Sequence, residues 1–326
     1  MKSNKNMFIL VVAILLVLTL MTSTSALIMS GIREDPVTVS VVIDDSSSGR
    51  WSSFISGLEQ AAKDTGIKVN VVSTTKNMTL PQQSQLINDE LAAGADGIIL
   101  QFTSSSGTQE MISDISRKAV LLLVDTSAEM DVDVEGRSAC IQVDNLELGR
   151  ALANEVRISL GNDLKGRTIG IIAGTQKQNA IKERLQGFKE NIESSGAIII
   201  WTDNSIMNVS DKISTRQEND RADILVALDN SALEAACEYG MKQEQPPYIF
   251  GEGTSIKVVS YVDDGLITSM VVPNEYYMGY QSVMAVARRL DNRLTPMEDE
   301  TIAFRVVNRE NLFDENNQRM LFPVVQ

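Results

Sequence analysis

The stretch VTVSVVIDDSSSGRWSSFISGLEQAAKDTGIKVNVVS, residues 37–73, holds one complete structural unit. VTVSVVI is a near-continuous apolar run, the pattern of a strand covered on both faces. DDSSSGR is a polar loop of the size that meets a small ligand. From Trp51 to Asp64 the chain is amphipathic, Gly66 supplies a helix stop, and IKVNVV returns as a second strand.

Outward from this unit the pattern repeats. Apolar runs at 97–100, 119–124, 168–173, 197–201, 224–228, 248–250 and 267–272 read as strands. Helical patterns occupy 81–93, 146–160, 180–193, 231–240 and 275–290. In the last of these Tyr276, Tyr280, Val283, Met284 and Ala287 recur on one face. Such βα alternation predicts an α/β protein with parallel sheets covered by helices, and a ligand site beyond the carboxyl ends of the strands. The strands group on either side of Asp144, so the fold class expected is two doubly wound parallel-sheet lobes.

A chain of 326 residues with 43% hydrophobic content can furnish a core for each lobe. The formal net charge of −14 argues against nucleic acid, whose binding needs clustered cations to replace counterions. There is no histidine, which removes Ser-His-Asp and Cys-His catalysis and His-based zinc sites. Cys140 and Cys237 are too far apart in sequence for a metal motif and too few for a disulfide framework, so they read as buried, reduced apolar residues. Paired carboxylates could hydrolyse glycosides at a fixed separation, but nothing in the sequence fixes one. The chain is read as a non-enzyme without a cofactor or metal.

The N-terminus has its own character. Lys2 and Lys5 precede an apolar run over 7–21, then Thr22-Ser23-Thr24-Ser25 and a second apolar patch over 26–29. This fits an export signal. Read through to Ile32, it is also long enough to span a bilayer, for which about 20 residues suffice, with the lysines on the cytoplasmic side. Leu27-Ile28-Met29 keep the run apolar past the best cleavage point, which favours an uncleaved N-terminal apolar helix. Both readings put the rest of the chain outside the cytoplasm. Residues 1–35 are thus a signal peptide or membrane anchor with a linker, and Pro36 keeps the entry to the first strand extended.

Particular strings recur at the ends of these elements: the polar loop and aromatic at 46–51, LLLVDTSA at 121–128, VDNLELGRALA at 143–153, GIIAGTQKQNAIKERLQGF at 170–188, ILVALDNSAL at 224–233 and FGEGT at 250–254. In this order the chain resembles the exported sugar-binding proteins of ABC importers, the ribose-binding type. Lactose-repressor-type regulators share that fold but begin with a DNA-reading helix pair, where this chain carries an apolar segment. The resemblance implies a type I periplasmic-binding-protein fold, with lobe 1 at 36–143 and 274–305 and lobe 2 at 144–273 and 306–326. Three crossing strands, near 143–145, 272–274 and 304–306, would form the hinge. It further implies a monomer that closes over a sugar or polyol and passes it to an ABC permease. A membrane sensor kinase is the alternative partner if the N-terminal segment remains as an anchor.

The resemblance also implies site residues. Ser48 lies in the first polar loop. Trp51 stands where relatives lay a ring against the sugar, since an indole face covers C–H groups while its N–H donates; packing on its own lobe is the other reading. Arg50 falls on a contact position that is usually aromatic, or is simply solvated. Asp125 follows the strand LLLV and could accept from two adjacent hydroxyls. Thr126 replaces a usual arginine, so the ligand's acceptors must be met elsewhere. Lys182 matches a second arginine position, or is a surface lysine. Asp229 and Glu252 end strands where relatives bind hydroxyls, and Asn274 sits at a crossing beside Pro273, which departs from a usual Gln. Asn230, Asp144 and Asn145 are read as caps and hinge residues. Three acids and a ring suit a neutral polyhydroxylated ligand, with a small cation as the alternative.

Overall fold

A computed structural model describes residues 12, 14–19, 21, 36–45, 47–75, 77–129 and 136–322. The chain divides into an N-terminal unit, Met1–Val37, and a compact unit, Thr38–Gln326. In the first, residues 12, 14–19 and 21 are helical and exposed; the remainder of the apolar segment, with the small residues at 22–26, lies outside the described residues. Among the described residues no helix is long and apolar enough to cross a membrane.

The compact unit contains strands β1 (Thr38–Asp44), β2 (Lys68–Thr74), β3 (Gly97–Leu100), β4 (Val120–Val124), β5 (Ser138–Val143), β6 (Thr168–Ile172), β7 (Ile198–Asp203), β8 (Ile224–Ala227), β9 (Tyr248–Glu252), β10 (Ile267–Pro273), β11 (Glu300–Ile302) and β12 (Phe304–Val307). They form two sheets of matching order, β11-β5-β4-β3-β1-β2 and β12-β10-β9-β8-β6-β7. The first sheet is parallel throughout. In the second, β12 runs antiparallel to β10 and the other pairings are parallel. Apolar runs such as GIIL and ILVA are buried at every position because helices cover both faces, whereas the edge strand β2 alternates with solvent.

The chain passes between the sheets three times. Val143 leads into the helix Asn145–Leu160, which packs on β9, β10 and β12; Pro273 leads into Glu275–Asp291, which packs on β3, β4 and β5; and Ala303 separates β11 from β12. The sequence reading passed over β5, β11 and the helices Gln109–Lys118, Val209–Asn219, Ile256–Asp263 and Glu315–Leu321. In the helix Val209–Asn219 the apolar signal is thin: VSDKISTRQEN buries only Ile213 and Gln217.

Close helix packing in each lobe depends on glycine. A Cβ on Gly57 would lie 2.1 Å from Tyr276 O, and one on Gly279 2.1 Å from Phe54 O. In the second lobe a Cβ on Gly149 would lie 2.1 Å from Arg184 O, and one on Gly187 2.0 Å from Leu146 O. Backbone thus approaches backbone in both pairs. Cys140 and Cys237 are free and buried, as the composition suggested.

Candidate ligand-binding site

The carboxyl ends of both sheets face a common cleft. Asp44 at the end of β1, Asp125 just after β4, and Ser48, Arg50, Thr75 and Met78 line it from the first lobe. Lys177, Ile181, Arg184, Ile206 and Asp229 line it from the second. The lobes touch beside it. Gln178 Nε2 donates to Phe102 O at 2.8 Å, Asn179 N to Ser105 Oγ at 2.9 Å, and Thr254 Oγ1 to Arg50 O at 3.0 Å.

Asp125 holds the centre. Its φ of 66° is left-handed, a conformation costing a non-glycine residue on the order of 1–3 kcal/mol and typical of functional positions. Surrounding contacts enforce it: its N–H donates to Ile141 O at 3.0 Å, and its Oδ2 accepts from Arg50 Nη2 and Gln101 Nε2, each at 2.6 Å. Arg184 Nη2 stands 3.7 Å from Oδ1 and joins the two lobes electrostatically.

Arg184 is only 2% exposed, and its donors are well matched. Nε donates to Asn145 Oδ1 at 2.8 Å, and Nη1 to Leu228 O at 2.9 Å and Glu252 Oε2 at 3.0 Å. The helix Asn179–Ile192 carries it on the same face as Ala180, Ile181, Gly187 and Phe188. That spacing was a signal: a charged residue at an apolar helical position reaches inward to a partner.

Burial, the neighbouring arginines and hydrogen bonds divide the acids. Burial pushes Asp125 up, but Arg50 and Arg184, with hydrogen bonds from Arg50 and Gln101, outweigh it and hold the group below its ordinary range. For Glu252 and Asp44 burial prevails and both are raised. Burial pushes Glu275 to about 8, against the pull of Arg50, and its Oε2 has no hydrogen-bond partner among the described residues.

Of the sequence candidates, Ser48, Arg50, Asp125 and Asp229 line the cleft together. Trp51 is fully buried in its own lobe: Nε1 donates to Asp44 O at 2.7 Å and Oδ1 at 3.1 Å, the ring meets Phe54 edge-on, and the Arg50 guanidinium lies 4.2 Å over its face. Thr126 is also fully buried, and its Oγ1 accepts from Ala180 N of the other lobe at 3.2 Å. Lys182 is exposed, outside the lining; the cation that enters from its helix is Arg184, two positions on. Glu252 lies behind the cleft, paired with Arg184. Asn274 caps Glu275–Asp291 by accepting from Tyr277 N at 3.1 Å.

The capping expectations divide. Asp144 caps Asn145–Leu160 as expected, accepting from Glu147 N at 2.9 Å. Two others need correction. Asp229, not Asn230, caps Asn230–Gly240, since its Oδ1 accepts from Ala232 N at 2.8 Å, while Asn230 Oδ1 receives Thr254 N and Ser255 N, each at 2.9 Å. Asn145, read as a cap, is instead the first residue of Asn145–Leu160, and its Oδ1 accepts from Arg184 Nε. Gln101 and Glu275 were missed because a residue ending a strand or opening a helix carries no distinctive spacing.

The family model of the periplasmic binding protein domain matches residues 39–294. The chain belongs to this family. A curated relative, the ABC transporter periplasmic-binding protein YphF of Escherichia coli (strain K12), is 23% identical over 163 residues, 49% of each chain, so this chain spans about half the length of the relative it matches. Among solved structures, a carbohydrate transporter solute binding protein from Agrobacterium radiobacter, in complex with D-arabinose, has a TM-score of 0.78 at 16% identity and covers 88% of this chain and 99% of its own. An ABC transporter solute binding protein from Agrobacterium vitis, bound with alpha-D-tagatopyranose, has a TM-score of 0.78 at 14% identity, with coverage of 88% and 100%. A chain of the XylFII-LytSN complex has a TM-score of 0.71 at 21% identity, with coverage of 85% and 99%. At these identities the likeness establishes the fold. The family is one of extracytoplasmic binding proteins rather than enzymes.

Proposed function

We propose that this chain is an extracytoplasmic substrate-binding protein that closes its lobes over a sugar or polyol and delivers it to an ABC importer. The observation that carries this reading is the cleft itself, where carboxylates at strand ends and two guanidiniums from opposite lobes face one space. A polyhydroxylated molecule uses both kinds of partner, because each hydroxyl donates to a carboxylate and accepts from an arginine. The guanidinium of Arg184 supplies donors that Thr126 cannot, and both guanidiniums oppose the small-cation alternative. The sugars bound by the two Agrobacterium proteins point the same way.

In this reading Ser48, Asp125, Asp229 and Arg184 contact the ligand, and Arg50 with Trp51 forms the wall behind it. Ligand favours the closed form through contacts made from both lobes at once. The N-terminal apolar segment holds the chain at the membrane, and the protein acts as a monomer. A solved chain of the same fold in a two-protein complex, XylFII-LytSN, supports a second reading: the lobes report ligand to a membrane receptor or sensor kinase.

The test is a thermal-shift screen of the purified chain against pentoses, hexoses, polyols and polyamines. At about 100 times the dissociation constant a true ligand adds roughly 2.7 kcal/mol and raises the midpoint measurably. Stabilisation by one sugar or polyol is expected. A response confined to polyamines would overturn the ligand class, and silence across the panel would overturn the sugar reading.

A further inference from the structure

The guanidinium of Arg50 is seated as a bound cation would be. It lies 4.2 Å over the Trp51 ring, donates to Asp125 Oδ2 at 2.6 Å, and has Nη1 at 3.7 Å from Asp44 Oδ1. An aromatic face flanked by carboxylates attracts a cation through the ring quadrupole and charge-assisted hydrogen bonds. Here that cation is covalently part of the chain.

Other groups hold the walls of this seat. Trp51 Nε1 binds Asp44, Gln101 Nε2 donates to Asp125 Oδ2 at 2.6 Å, and Gln101 Oε1 accepts from Asp44 N at 3.1 Å. Ring and carboxylates are therefore fixed to one another without the arginine. The occupant is less completely held than its walls: among the described residues the buried Arg50 Nε meets no acceptor, and its side chain keeps 14% exposure against 2% for Arg184.

We propose that Arg50 is a built-in occupant of a ring-and-carboxylate subsite on the first lobe, which it closes to external molecules. A ligand is thereby confined to the adjoining part of the cleft, bounded by Met78, Lys177, Ile206 and Asp229. Arg50 is then a specificity-determining residue, because the guanidinium covers the indole face that an external molecule would otherwise meet. A tethered group also meets its seat at an effective concentration that a dilute free ion cannot match. The inference goes beyond the sugar reading and does not depend on it.

Chemical rescue tests it. The full-length chain carrying Arg50→Ala is titrated with methylguanidinium chloride up to about 10 mM, with sodium chloride matched for ionic strength, and followed by thermal midpoint and tryptophan fluorescence. A saturable rise in midpoint is expected for Arg50→Ala, none for the wild type, and none for Arg50→Ala combined with Asp125→Asn. Equal responses of wild type and Arg50→Ala, or a folded Arg50→Ala blind to methylguanidinium, would overturn the inference. Where Arg50→Ala does not fold alone, the compound is added during refolding from urea. Recovery of the native circular dichroism then supports the occupant, and refolding indifferent to the compound overturns it. A sugar screen that fails on the wild type would leave this result standing, so the two readings fail separately.

Discussion

Each lobe sets an arginine from the helical segment after its first strand against a carboxylate at the end of its fourth strand, yet the two pairs are finished differently. In the second lobe Arg184 meets Glu252, and Asn145, the first residue of the helix after β5, takes its Nε. In the first lobe Arg50 meets Asp125, but among the described residues Arg50 Nε has no acceptor, and Oε2 of Glu275, the first residue of the helix after β10, has no partner. One pair is a closed network at the wall of the cleft. The other leaves polar capacity unspent beside a cleft. Buried networks are most stabilising when every member is satisfied, so the first serves rigidity and the second is suited to exchange partners.

The largest expected effect lies in the closed network. Arg184→Ala leaves Glu252, Asn145 Oδ1 and Leu228 O without their partner, at a cost of about 3–5 kcal/mol in urea unfolding. Arg50→Ala, at a site already part-exposed, should cost about 1–3 kcal/mol. Equal costs would break the distinction between the two pairs.

The glycine contacts come next. Gly187→Ala places a methyl 2.0 Å from Leu146 O and must separate the helices that carry Arg184 and Asn145. Overpacking of this kind costs about 1–3 kcal/mol. Gly279→Ala, with its clash at 2.1 Å against Phe54 O, should match it in the first lobe. Ligand affinity measured beside stability sharpens the comparison, because Gly187→Ala moves the helix that carries Arg184 and Gly279→Ala the helix that follows Arg50.

Glu275 predicts a dependence on pH. Its ordinary value is 4.5 and burial raises it to about 8 in the fold, so the native state binds this proton more tightly than the unfolded chain. Stability therefore falls as pH rises between about 4.5 and 8, and levels off above. Raised Asp44 and Glu252 act in the same direction, while Asp125, held low, costs stability only as pH falls below the usual carboxylate range. Glu275→Gln should flatten the fall and raise the midpoint at pH 8, read from thermal melts across pH. An unchanged profile would assign the dependence to the other acids.

The smallest effect is expected from Asp229→Asn, since asparagine also serves as an N-cap. Calorimetry should show a loss of about 1 kcal/mol for a sugar, the size of one ordinary hydrogen bond. A much larger loss, with affinity for cations in the wild type, would restore the cationic ligand.

The alternation of elements, the two lobes and the strand-end position of Asp125 and Asp229 are legible in the residue pattern. These follow from local pattern, because interior parallel strands must be apolar throughout and helices must stop before the next strand begins. Helices such as Gln109–Lys118 escaped because little of their surface is buried. The partners of each charge belong to the tertiary structure. Trp51 and Arg50 are adjacent in sequence, yet only the fold turns the indole into the core and lays the guanidinium over it. Lys182 and Arg184 lie on the same helix, and their different azimuths on it decided which one enters the cleft. Asn145, Glu252 and Asp125 come from separate segments and meet around Arg184 only after both sheets have formed. No local pattern encodes such a meeting, because a buried charge selects its partner by proximity in space.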